Sequence, residues 1–161
     1  MEYTGEKEIE VSTSLGKFTI ELYYLHSPNA CTNFSQLSNA SYYTDTTVHR
    51  VTPHVLQFGD PSGTGGGGVA ANGSRIVEKN ELKHVGAGVC AFVEMPGGGF
   101  GSQIYITLKP CAWADGSGTI FGRVKSGMGV VERIGRIEVK GEAPKNVIKV
   151  FDIKPPAGPE E

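Results

Sequence analysis

Arg50 and Gln57 are the two residues of this chain whose setting most asks for chemistry. They stand among apolar side chains in VHRVTPHVLQFGD, residues 48–60. A guanidinium and a primary amide cost free energy to bury without partners, and no cysteine or serine lies between them. Such a pair offers a fixed positive charge and several hydrogen-bond donors. That suits electrostatic stabilisation on a shallow apolar groove better than nucleophilic attack. A surface arginine on a strand edge is the other reading of the same residues.

Other motifs carry less. GTGGGG (63–68) has the form Gly-x-Gly-x-x-Gly, but the following VAANGSRIV starts no helix and no phosphate-binding lysine follows. It reads as a flexible surface loop. His49 and His54 fall on opposite faces of a strand, and His26 and His84 lie far off, so structural or surface roles are expected rather than metal ligation. Ser102, in FGSQIY, lacks the nucleophile elbow of a hydrolase. Cys31, Cys90 and Cys111 are widely spaced and form no Cys-x-x-Cys pair. They read as reduced, buried small hydrophobes, which points to the cytosol or nucleus.

The elements that must position Arg50 and Gln57 are mostly short strands. EIEVSTSLGKFTIELYY alternates apolar and polar residues about Ser14–Gly16, the pattern of a hairpin. The period then changes: Ser27 is placed to cap and Pro28 to open a helix carrying Ala30, Phe34 and Leu37 on one face, ending near Asn39–Ser41. TTVHRV and HVLQF are β runs split by Pro53. Residues 60–83 read as a long loop, and GVCAFVEM, SQIYITL, TIFGRV and NVIKVFDI as further strands. Ser126 is placed to cap a second helix bearing Met128, Val131 and Ile134.

The 161 residues suit one domain, expected over residues 1–155 with a flexible acidic, proline-rich tail at 156–161. With 39% hydrophobic and 20% charged residues, disorder is disfavoured; a net charge near −2 with scattered basic residues argues against nucleic-acid binding. No apolar run approaches the roughly 20 residues of a membrane helix, and the N-terminus lacks the apolar run of a signal peptide. The expected fold is mainly β: a closed antiparallel barrel, since closure removes exposed sheet edges.

Over nearly its whole length the sequence resembles the cyclophilins, the proline-isomerase family. The matching pieces come in the family's order: LGKFTIELYYLHSPNACTNFSQL, VHRV…LQFGDPSGTGGGG, GAGVCAF, GSQIYITL, WADG…TIFGRV and NVIKVFDI. The direct passage through SNASYYTDTTVHR looks like the compact members, and TIFGRVKSGMGVVERIGRI is similar to small members found with the splicing machinery. The resemblance implies an eight-stranded antiparallel barrel capped by two α-helices and cis–trans isomerisation of X-Pro bonds, with no metal or cofactor. It implies Arg50 and Gln57 as catalytic residues. His54 or Val55, Val93, Glu94, Met95, Gln103, Tyr105, Trp113, Ala114 and Gly118 would then bind the proline and its peptide. Proline-containing peptides or proteins are the implied partners of an intracellular monomer. Docking to a protein partner, as in a spliceosome-like assembly, is the second implied function.

Several residues depart from the family's pattern. The chain is one residue short between His49 and Gln57, so the usual pocket phenylalanine is replaced by His54 or Val55. Tyr105 stands where a phenylalanine is usual, Ala114 where a leucine and Gly118 where a histidine. Val93 and Glu94 replace an alanine and an asparagine, and IVEKNE (76–81) replaces an acidic loop. An unpaired Tyr105 hydroxyl and the lost apolar contact would weaken proline binding, and Glu94 would favour basic substrates.

Overall fold

The computed structural model describes residues 7–156, so most of the expected tail, 157–161, lies outside the described residues. Strands β1 (Glu8–Thr13) and β2 (Gly16–Leu22) form the expected hairpin, with Ile9, Val11, Phe18, Ile20 and Leu22 all turned into the core. Helix α1 (Pro28–Asn39) follows. Next come β3 (Thr46–Thr47), β4 (Arg50–Val51), β5 (Val55–Phe58), β6 (Val89–Phe92), β7 (Ile104–Thr107) and β8 (Thr119–Ser126). Helix α2 (Met128–Gly135), a small β9 (Val139–Lys140) and β10 (Ala143–Pro144) ribbon, and β11 (Lys149–Lys154) complete the chain.

The main sheet runs β3-β11-β1-β2-β8-β6-β7-β5-β4, every pair antiparallel. Its two end strands belong to one continuous segment, 46–51. The first half of that segment pairs with β11 and the second half with β5. Counting the segment as one strand gives about eight strands in a curled antiparallel sheet whose two ends meet in that segment, in keeping with the barrel expected. Each helix touches strands that are not neighbours, α1 meeting β11 and β8, α2 meeting β2 and β5. Val130 of α2 lies against Gly16 at the start of β2, whereas α1 follows the end of β2, so the helices plug opposite ends. Phe34 of α1 packs on Phe92 and Phe121 in the core between them.

The helix caps differ from expectation. The Ser27 hydroxyl makes no cap; it donates to the Ile120 carbonyl at 2.5 Å. The first-turn N–H groups of Asn29 and Ala30 instead donate to the Glu78 carboxylate at 3.0 and 2.9 Å, an acidic group at the positive end of the helix. Ser126 ends β8 rather than capping α2; Gly127, at φ +82°, is the boundary residue. A side chain there would strike the Phe18 backbone, so the tight strand-to-helix turn needs glycine. The strand expected over GVCAFVEM ends at Phe92, and Val93–Met95 leave the ladder for a turn closed by Gly98 N–H on the Met95 carbonyl. The three cysteines are buried and unpaired. Among the described residues, no helix is long and apolar enough to cross a membrane.

Candidate functional site

Strand register brings the predicted residues into line. Arg50 lies directly opposite Gln57 in the β4–β5 ladder, and Gln57 directly opposite Tyr105 between β5 and β7. Opposed residues share one face of a sheet, so the three form a row on the barrel's outer face. Leu56 and Phe58 alternate inward to the core. Val55 returns to the outer face two residues before Gln57, where it packs with Tyr105, Cys111 and Ala114 in a small apolar cluster. His54 turns aside and meets the Trp113 ring edge-on at 5.5 Å. Val55, rather than His54, is therefore the residue beside Tyr105.

A relay of amides fixes how Gln57 faces Arg50. Gln103 Nε2 donates to the carbonyls of Gly65 and Gly67 at 2.8 and 2.9 Å. Carbonyls only accept, so the Gln103 oxygen must face the other way. It accepts from Gln57 Nε2 at 2.8 Å, which leaves Gln57 Oε1 to accept from Arg50 Nη1 at 3.2 Å. Gln103 is thus a buried support under the row rather than part of its surface.

Those carbonyls belong to the glycine-rich loop, which is not a free surface excursion. The buried Asp60 carboxylate accepts from Ser62 N–H and Oγ and from the N–H groups of Gly65 and Gly67, at 2.7–3.1 Å. Burial alone would raise the Asp60 pKa; the Ser62 and glycine donors outweigh it and hold the carboxyl down to about 2. A Cβ at Gly67 would sit 2.4 Å from Asp60 Oδ1, so this wrapping requires glycine.

A second chain, centred on the buried His84, holds Tyr105. Asp115 Oδ1 accepts from His84 N–H at 2.7 Å and from His84 Nδ1 at 2.9 Å. His84 Nε2 and the Tyr105 hydroxyl are hydrogen-bonded at 2.6 Å, the hydroxyl donating where the ring carries its proton on Nδ1, and the hydroxyl also reaches the Ser117 carbonyl at 3.3 Å. The backbone and side-chain hydrogen bonds from His84 pull the Asp115 pKa below its ordinary value, while burial pushes that of Tyr105 up. The expectation of an unpaired hydroxyl in the pocket is therefore corrected. Gly118, at φ +70°, makes room: a Cβ there would lie 2.9 Å from the Tyr105 oxygen.

The remaining predicted residues surround this row. Trp113, 70% exposed, sits on a single 3-10 turn, Ala112–Ala114. Val93 shares one shallow depression with Arg50, Gln57 and Glu142. The N–H groups of Val93 and Met95 are spent inside the fold, on the carbonyls of Gln103 and Gly99 at 2.9 Å. Glu94 pairs with Lys79 at 3.2 Å, so its charge is partly answered. The carboxylate that does meet the row is Glu142, in the β9–β10 turn. It accepts from Arg50 Nε at 3.3 Å and Nη2 at 3.2 Å. His49 is enclosed beside Arg50; burial, and secondarily the Arg50 charge, push its pKa down against the pull of Asp60. Among the described residues no group of three or more His, Cys, Asp or Glu side chains is placed to hold a metal.

Sequence reasoning did not find Asp60, His84, Asp115 or Glu142. Asp60 begins Asp-Pro-Ser-Gly, where an acceptor two residues before serine marks an Asx turn, a signal that was available. The other three act across long sequence separations and leave no local pattern.

Comparison with known proteins places this geometry. Residues 8–154 match the family model of the cyclophilin type peptidyl-prolyl cis-trans isomerases. Peptidyl-prolyl cis-trans isomerase-like 1 of Aspergillus oryzae is 42% identical over 148 residues, covering 89% of this chain and 92% of the relative. Peptidyl-prolyl cis-trans isomerase cypE of Dictyostelium discoideum is 40% identical over 149 residues, 91% and 96% of the two chains. A cyclophilin type isomerase of Cryptosporidium parvum, solved in the presence of the dipeptide Ala-Pro, superposes with a TM-score of 0.89 at 27% identity, covering 94% of this chain and 99% of that one. The chain belongs to the cyclophilin-type peptidyl-prolyl cis-trans isomerase family.

Proposed function

We propose that this cyclophilin-type peptidyl-prolyl cis-trans isomerase works by aiming the Arg50 guanidinium at the nitrogen of an X-Pro bond laid across the Arg50–Gln57–Tyr105 row. Amide resonance opposes rotation by roughly 18–20 kcal/mol. Twisting the bond removes that resonance and leaves the proline nitrogen a better hydrogen-bond acceptor. A donor already in place at that nitrogen favours the twisted state over either planar isomer, which is what lowers the barrier. No bond is made or broken. Gln57 has one N–H on Gln103 and a second for the substrate carbonyl. The proline ring rests against Val55, Tyr105 and Ala114, flanked by His54 and Trp113, with Gly118 leaving the floor open. Val93, Glu94 and Met95 form the rim along which the peptide runs.

The observation that carries this reading is the register that sets Arg50, Gln57 and Tyr105 side by side from three strands. A relative solved in the presence of Ala-Pro supports the class of substrate. Val55 and Ala114, where the family's pattern has phenylalanine and leucine, remove apolar contact worth about 1.5–3 kcal/mol per fully buried side chain. Substrate binding is correspondingly weak and the activity selective. The working unit is one domain over residues 1–155, a monomer acting on proline-containing peptides or proteins in the cytoplasm or nucleus.

The test is exchange NMR on a short Ala-Pro peptide with the wild type and with Arg50→Ala. Accelerated exchange that falls about 10²–10³-fold in the variant, the loss typical of removing one such donor, supports the reading. An Arg50→Ala variant as fast as the wild type overturns it. No acceleration by the wild type would leave the groove as a docking surface for a protein partner, the second function.

A further inference from the structure

Arg50 carries a long, flexible side chain, yet in this fold its charged end is gripped from two sides. Gln57 Oε1 takes Nη1, while Glu142 takes Nε and Nη2 through its two carboxylate oxygens. The Glu142 side chain is 57% exposed, but its backbone is fixed in place. It is the second residue of a two-residue hairpin loop between β9 and β10, and Gly141 before it has φ +67°, as a type II′ turn asks. The Glu142 carbonyl also accepts from Val51 N–H, beside Arg50, at 2.7 Å. The ribbon thus delivers the carboxylate to β4 through the backbone, and the ion pair follows from that anchorage.

The donor count decides what the grip can do. A guanidinium has five N–H groups. Two are engaged by Glu142 and one by Gln57, which leaves two for a substrate. Holding the plane in one orientation while keeping donors free is preorganisation, since the orientation need not be found anew at each turnover. The opposite effect is also physical: a carboxylate beside the guanidinium lowers its positive potential.

We propose that Glu142 is a positioning residue for the isomerase reaction, acting through Arg50, and that orientation outweighs the loss of potential. The proposal rests on Arg50 being the catalytic donor. The test compares Glu142→Ala and Glu142→Gln with wild type and Arg50→Ala, using an uncharged Ala-Pro peptide. Both Glu142 variants are expected to lower kcat about three- to fivefold with KM within twofold, Gln falling less because its one oxygen keeps one bond. A second readout is the Arg50 Nε–H resonance in a ¹H–¹⁵N spectrum, expected in the wild type and lost to solvent exchange in Glu142→Ala. A kcat that rises or stays unchanged overturns the proposal, because Glu142 would then be quenching Arg50 or be idle. Should Arg50→Ala match the wild type, it is the catalytic reading that fails, and the proposal falls with it. If the wild type shows no turnover at all, the catalytic reading likewise fails and the proposal falls with it; where the wild type turns over, a resonance indifferent to Glu142 overturns positioning even if kcat falls.

Discussion

Replacing Tyr105 by phenylalanine separates the geometry of this site from the family's pattern. By pattern, Tyr105→Phe restores a usual floor residue and should tighten substrate binding. By geometry, it removes the hydroxyl hydrogen-bonded to His84 Nε2 at 2.6 Å. His84 is 2% exposed and its other ring nitrogen is committed to Asp115. A buried ring nitrogen left without its partner costs about 1–3 kcal/mol, while a phenyl ring in the same place keeps the apolar contacts. Taking about 2 kcal/mol, Tm should fall by roughly 4–8 °C in a domain of this size. Calorimetry and urea unfolding followed by far-UV circular dichroism measure the loss. A cycle with His84→Leu isolates the pair, and the double variant should recover at least about 1 kcal/mol of the summed losses. Because the hydroxyl is turned to His84 and the ring carbons to Val55 and Ala114, KM for a proline peptide should move by less than twofold. A variant as stable as the wild type, or one that binds tenfold tighter, would refute the claim that the hydroxyl is satisfied.

Two further perturbations probe the support of the row. The Asp60 carboxyl, held to about 2, lies below its unfolded value of about 3.9, so its contribution of roughly 2–3 kcal/mol is present above pH 4 and lost as pH falls through 4 to 2. Asp60→Asn should be less stable at pH 7 and show a flatter stability profile between pH 4 and 2, by urea unfolding at each pH; an unchanged slope would remove Asp60 from the account. Gln103→Met keeps the volume but strands the carbonyls of Gly65 and Gly67 and the Gln57 amide, so kcat/KM should fall about tenfold. Hydrogen exchange at Gly65 and Gly67 should quicken along with it, and wild-type turnover in this variant would show that the relay does not orient Gln57.

What the sequence disclosed and what it withheld follow from the range of the interactions. Strands β1 and β2 were readable because a half-buried strand writes its burial in alternate residues, as Ile9, Val11, Phe18 and Ile20 do. The helix after Pro28 was readable for the same reason at another period. The caps were not. Ser-Pro is a local signature, but Ser27 found the Ile120 carbonyl, and Glu78, 49 positions from Asn29, took over the helix terminus. Arg50 and Gln57 could be paired in thought because one short turn joins their strands. Whether His54 or Val55 stands beside Tyr105 depended on where β5 begins, and a strand's parity cannot be used before its boundary is known.

The same distinction explains which parts of the site stood out. Arg50, Gln57 and Tyr105 are conspicuous one by one, and the family's pattern orders them. The groups that fix their directions are ordinary residues met across the fold: Asp60 through a loop, Gln103 from just before β7, His84 and Asp115 beneath the floor, Glu142 from the β9–β10 ribbon. An arginine on a barrel surface has many rotamers, and the catalytic role proposed for Arg50 depends on how few of them remain. Two carboxylates and two amides do that restricting here. Asp60 orders the loop whose carbonyls orient Gln103, Gln103 orients Gln57, and Gln57 and Glu142 close on Arg50 from either side. Activity in this chain should therefore be sensitive to substitutions one or two hydrogen bonds away from the proline, and more sensitive to them than to the size of the apolar residues that line the pocket.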